Sequence, residues 1–189
     1  MTTLPIPTGY IAGTWDIDPV HSEVSFQVRH MVVSKVRGRF DTFGGAIVTA
    51  EDPARSSVQV TIDAASINTA NPDRDTHVRS ADFLDTETFP QISFSSTGVR
   101  ADGDDYVVDG ELTIRGVTKP VTLKVEANGF TPDQRGGTRA GFSASTEINR
   151  GDFGVSFNGP IPGTDAVLVS EKVSLTLEVE AVLRVAVVA

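Results

Sequence analysis

The residues best able to do chemistry crowd into one stretch, "NPDRDTHVRSADFLDTETFP", residues 71–90. It sets His77 among Asp73, Asp75, Asp82, Asp85 and Glu87, with Arg74 and Arg79 interleaved. A histidine amid carboxylates can be a general base, a metal ligand, or part of a solvated helix face. Asp73 and His77 stand at i and i+4, a spacing that usually makes a surface pair worth a few tenths of a kcal/mol. No Gly-x-Ser-x-Gly elbow accompanies it, and no serine stands out as a nucleophile.

His21, His30 and His77 are the only histidines. Together with Asp or Glu they could recruit zinc or iron, yet no His-Glu-x-x-His is present and positions 21 and 30 match no metal motif. The expectation is no metal and no resident cofactor. "VRGRF" and "TFGGAIV" precede no helix, so they lack the geometry by which glycine-rich loops bind phosphate. Gly38, Gly44 and Gly45 read instead as bulges or tight corners. The Arg150-Gly151-Asp152 tripeptide reads as coincidence.

These residues must be positioned by something, and the chain of 189 residues is long enough for one domain with a real core. Cysteine is absent, which excludes disulfides and thiolate chemistry. A net charge of −9 with no basic block suits neither nucleic acid nor anionic membrane surfaces. The opening "MTTLPIPTGYIAGTW" has no basic n-region, and no apolar run is long enough to span a bilayer, so the expected location is cytoplasmic.

Period-two alternation runs from residue 14 to the end. It places Val24, Phe26, Val28 and His30 on one face, and likewise Val58, Val60 and Ile62, then Ile92 and Phe94. Tyr106, Val108, Leu112 and Ile114 follow, then Val121, Leu123 and Val125, then Phe142, Ala144 and Ile148, and last Val173, Leu175, Leu177 and Val179. With residues 36–50 as one bent or two short strands, about eight or nine strands result. Alternation means one buried and one wet face, hence antiparallel sheet in a barrel or a sandwich. Two segments break the pattern. Asn71 is a good N-cap, Pro72 fits the first helical position, and Asp73 and Asp75 complement the dipole, predicting a short helix over 72–82. Residues 149–170 hold four glycines and two prolines and read as a long loop, of the sort that borders binding sites.

The stretches "WDIDPVHSEVSFQVRHMVVSKVRGRF", "RDTHVRSADFLDTETFPQISFSST", "VDGELTIRGVTKPVTLKVEANG" and "INRGDFGV", in that order, resemble the YceI-like family of lipocalin-like polyisoprenoid-binding proteins. The resemblance spans about Gly13 to Val182. It implies an all-β fold, an extended antiparallel eight-stranded lipocalin-like barrel with one short helix in the 71–84 excursion. It implies a flexible leader over 1–13, a single domain over 14–183 and a tail over 184–189. It also implies a binding or carrier protein, not an enzyme, whose partner is an isoprenoid lipid (a prenyl quinone or prenyl phosphate) or another long-chain amphiphile. A homodimer is admissible.

Such a tail needs an aliphatic and aromatic wall with few polar atoms. Phe26, Val28, Phe40, Val60, Ile62, Phe94, Leu112, Ile114, Leu123, Phe142 and Leu175 supply that wall in these registers. His30 stands at its rim, and Met31 is an adaptable contact. Val78, Ala81, Phe83 and Leu84 would close one end as a lid. Arg79, Arg150 or His30 would meet the head group at the mouth. The alternatives are a small metal-assisted enzyme using the histidines and a partner-binding β-domain with a filled core.

Overall fold

The structure, a computed structural model, describes Leu4 and residues 6–185. Its strands are β1 (Gly13–Ile17), β2 (Glu23–His30), β3 (Ser34–Phe40), β4 (Phe43–Thr49), β5 (Ser57–Asp63) and β6 (Ile67–Asn68). After α1 (Pro72–Arg79) come β7 (Gln91–Asp102), β8 (Asp105–Ile114), β9 (Val117–Pro132), β10 (Thr138–Asn149) and β11 (Val169–Leu183). Every ladder is antiparallel, as the alternation predicts.

The eleven strands make eight staves. β11 pairs with β10 along one edge, and its other edge takes both β1 (Trp15 opposite Leu183) and β2 (Phe26 opposite Leu175). β1 and β2 are therefore one stave, interrupted at residues 18–22. The break is stitched to β11, where Asp18 N donates to Glu180 O at 2.8 Å and Glu180 N donates to Ser22 Oγ at 2.9 Å. β3 with β4, and β5 with β6, are interrupted in the same way against their neighbours. The result is a meander closed between first and last staves, a closed eight-stranded antiparallel barrel with no sandwich.

The break between β5 and β6 leaves the sheet edge uncovered, and the 69–90 excursion lies there. Asn71 accepts from Arg74 N at 3.0 Å and Pro72 opens the helix, as the capping signals predict. The helix ends at Arg79, short of the expected 82. Ser80 N turns back to His77 O, Leu84 N to Val78 O and Thr86 N to Arg79 O, so turns take the carbonyls that another helical turn would need. Asp75 is buried, and its carboxylate accepts from Thr69 N at 2.8 Å and Thr69 Oγ1 at 2.6 Å.

One correction concerns the strands. Gly38 is no bulge; β3 runs through it in register, opposite Phe26. Register shifts do occur elsewhere, at Ser96/Gly98 in β7, opposite Gly141/Phe142 in β9 and between Val169 and Val173 in β11. The expected flexible leader is seated on the barrel where it is described. Tyr10 donates its hydroxyl to Ala50 O at 2.6 Å, and its ring meets Phe130 edge-on at 5.4 Å. Residues 1–3 and 5 of that leader, and 186–189 of the expected tail, lie outside the described residues.

One end of the barrel is filled. Trp15, Ala140 and Ala181 are fully enclosed there, and the indole N–H donates to Thr49 Oγ1 at 2.7 Å. Burial of the indole supplies most of this cluster; a Trp-to-Ala change in such a place costs about 3–5 kcal/mol.

Candidate ligand cavity

Between the filled end and α1 the staves enclose a cavity of about 530 Å³. Alternation alone brings its wall together, since each inward residue of one stave stands beside an inward residue of the next. Val60 is opposite Phe94, Phe94 opposite Leu112, and Leu175 opposite Phe26. Phe26, Val28, His30, Phe40, Val60, Ile62, Phe83, Phe94, Leu112, Ile114, Leu123, Phe142 and Leu175 all line it.

Two glycines keep the tube open. A Cβ on Gly38 would stand 2.4 Å from Phe26 Cζ, and one on Gly110 would stand 2.4 Å from Phe94 Cζ. Each ring thus lies along the wall over the neighbouring strand's backbone, and the lumen centre is left free.

Met31 does not line the cavity. It sits with Val32 at the β2–β3 turn, both with positive φ, and this ends the alternation at His30 and turns Met31 outward.

The mouth is aromatic. His77, Phe83 and Phe157 form a triangle with ring centroids 5.0–5.1 Å apart, and all three line the cavity. His77 pairs with Asp82, Nε2 to Oδ2 at 2.8 Å, and not with Asp73 as its helical spacing predicted. Val78 and Leu84 also line the cavity, whereas Ala81 is exposed and does not. Arg115 ties the two sides of the mouth together, donating from Nη1 to Phe83 O at 2.9 Å and to Gly154 O at 3.1 Å.

The expected head-group arginines are employed elsewhere. Arg79 donates to Ala65 O at 2.7 Å and Ile67 O at 2.9 Å, clamping α1 to the β5–β6 break, and it does not line the cavity. Arg150 does line it, but is buried with donors on four carbonyls, those of Val155, Phe157, Val169 and Ser170. Burial draws its pKa down from the ordinary guanidinium value, opposed by the nearby Glu171. Its work is to hold the 155–170 loop against the barrel end.

Arg74 is the cation missed. It lines the cavity while remaining exposed, and donates to Thr69 Oγ1 and Thr69 O, each at 2.8 Å. Its i+4 relation to Val78 was the available signal. Phe130 was missed for a different reason: the β9 bulge at Asn128 reverses the alternation, so Phe130 faces inward like Ala127.

The histidines do not converge. Among the described residues the one trio of His, Asp or Glu groups close enough to share an ion is Asp18, His21 and Glu180, without His30 or His77. Arg139 already occupies it, donating from Nη1 to Asp18 at 2.8 Å and also bonding Glu180. That guanidinium first, and His21 second, holds the Asp18 carboxyl far below the usual aspartate range. Among the described residues no helix is long and apolar enough to cross a membrane.

A family model described as the YceI-like domain matches residues 15–181. Protein YceI of Escherichia coli O17:K52:H18 is 41% identical over 175 residues, which cover 91% of this chain and 88% of that protein. The crystal structure of Burkholderia cenocepacia BcnA superposes with a TM-score of 0.75 at 27% identity, over 87% of this chain and 98% of the other. A structure described as a polyisoprenoid binding domain from Saccharophagus degradans gives a TM-score of 0.69 over 92% of this chain and 100% of the other. At 17% identity it speaks for the fold alone.

Proposed function

We infer that this chain, which belongs to the YceI-like family, is a non-catalytic binding protein that holds a polyisoprenoid or similar long-chain amphiphile lengthwise in its barrel. The observation that carries the reading is the cavity itself: about 530 Å³, within the range of small-molecule sites, with a hydrocarbon wall along its length. The polyisoprenoid class also agrees with the description of the S. degradans fold neighbour.

The energetics favour a long tail. Each methylene-sized group moved from water into the tube contributes about 0.8 kcal/mol. Several five-carbon isoprene units together offset the roughly 4–15 kcal/mol of freedom lost on association. The tail enters past the His77–Phe83–Phe157 triangle, and the polar head stays at the mouth. There Arg74 and His77, three residues apart on α1, face a prenyl phosphate or quinone oxygen. Arg150, with its donors engaged by carbonyls, contributes charge more than hydrogen bonds.

A filled core, the rival reading, is at odds with this cavity. The test is loading of delipidated protein with a prenyl chain, read by native mass spectrometry, with Phe94→Asp as the variant that should not load. Loading of that variant to the wild-type extent would contradict the reading.

A further inference from the structure

Net charge hides a local feature. From Val24 to Phe40 the chain has no Asp or Glu, yet it carries Arg29, Lys35, Arg37 and Arg39, four of the sixteen Lys and Arg residues in a protein of charge −9. The β2–β3 hairpin gathers them. Arg29 is directly opposite Lys35, and Arg37 opposite Gln27, on the outward face. Only Arg39 has a carboxylate partner, Asp41; among the described residues no ion pair is formed by Arg29, Lys35 or Arg37. Like charges directly across a ladder destabilise a hairpin. Folding therefore gives no reason for Arg29 opposite Lys35, whereas an anionic surface outside the protein does.

The tip of the same hairpin is apolar and in solvent. Met31 is 39%, Val32 61% and Val33 85% exposed. Met31 N donates to Leu168 O at 2.8 Å, which ties the tip to the loop that carries Phe157 and Val167, themselves 39% and 44% exposed. Among the described residues, five of the ten large exposed hydrophobics thus lie on the hairpin tip and the loop bonded to it. An apolar tip ringed by unpaired cations is the composition that seats in a lipid interface, with hydrocarbon below the head groups and the cations among the phosphates.

We propose that the β2–β3 hairpin docks the barrel, mouth first, on a bilayer rich in anionic phospholipid. The exclusion of such surfaces on net charge holds only at a distance. Within the Debye length, about 8 Å at physiological salt, the hairpin's own charges dominate. Docking sets the aromatic mouth against the acyl region and does not depend on which cargo the barrel holds.

Purified protein is floated with vesicles of phosphatidylcholine alone and of phosphatidylcholine mixed with phosphatidylglycerol. Binding is expected to the mixed vesicles, falling as salt rises towards 1 M, where the Debye length is about 3 Å. Lys35→Gln should weaken it about fivefold, and Arg29→Gln with Lys35→Gln about 25-fold. Val32→Asp with Val33→Asp should abolish it. Both valines are exposed, so thermal melts should match the wild type, and prenyl uptake from solution should be unchanged. Equal binding to both compositions, or equal binding by the wild type and these variants, overturns the proposal. So does a wild-type dimer that ignores vesicles and is dispersed by the valine double variant, which would assign the tip to a second copy of the chain. Loss of cargo uptake with intact docking would count against the cargo reading alone.

Discussion

The ring of Phe26 lies over the backbone of Gly38, its partner across the β2–β3 ladder, so closely that a Cβ on Gly38 would stand 2.4 Å from Phe26 Cζ. Phe94 uses Gly110 in the same manner from the neighbouring β8 strand. These absences of side chain are as much a part of the cavity as the residues that line it.

Gly38→Ala and Gly110→Ala should each push a phenyl ring off the wall and into the lumen. The expected result is loss of prenyl loading with a modest stability change, about 1–3 kcal/mol from overpacking. Loading assays and urea melts on the same samples check it. Undiminished loading in both variants would show that the rings do not gate the bore.

Arg115→Ala removes the tie between the carbonyls of Phe83 and Gly154. Hydrogen exchange at 83–84 and 154–157 should accelerate, and loaded ligand should leave about tenfold faster, since a charge-assisted bond contributes about 1.5–3 kcal/mol. Exchange at wild-type rates would place the latch elsewhere.

Acid should unfold the protein partly through Asp18. Arg139 foremost, then His21, depresses its folded pKa below the ordinary aspartate value near 3.9. A depressed carboxyl contributes stability that is present above the unfolded pKa and lost as pH falls through the folded one. Asp16, Asp41, Asp109 and Asp133 are lowered in the same direction by their own donors. Asp18→Asn should therefore be less stable at pH 7, with a shallower loss of stability below about pH 4. Parallel pH–stability curves for the two proteins would contradict the assignment.

Much of the barrel was legible because period two is rigid: once Val60, Phe94 and Leu112 face inward on successive staves, the wall follows. The alternation could not show closure, which depends on β11 accepting two strands along one edge. It also failed where the period is interrupted. The positive φ at Met31 ends it in a turn, and the β9 bulge restarts it out of phase, which is how Met31 was placed inside and Phe130 overlooked. Arginine roles were the least legible. Arg79, Arg74 and Arg150 are alike as residues, and only backbone geometry decides which clamps a strand break, which braces a loop and which reaches the mouth. His77 belongs to that lesson, since its closest dealings are with Phe83, Phe157 and Asp82, and not with Asp73 as its spacing predicted.

The central claim, that the lumen holds a long apolar chain, is tested most directly by native mass spectrometry of delipidated protein mixed with a prenyl alcohol. The account predicts a one-to-one adduct in the wild type and none in Leu112→Asp, whose carboxylate would stand unpaired in the tube. A folded wild type that forms no adduct with any prenyl chain, or an adduct that Leu112→Asp retains, would contradict it.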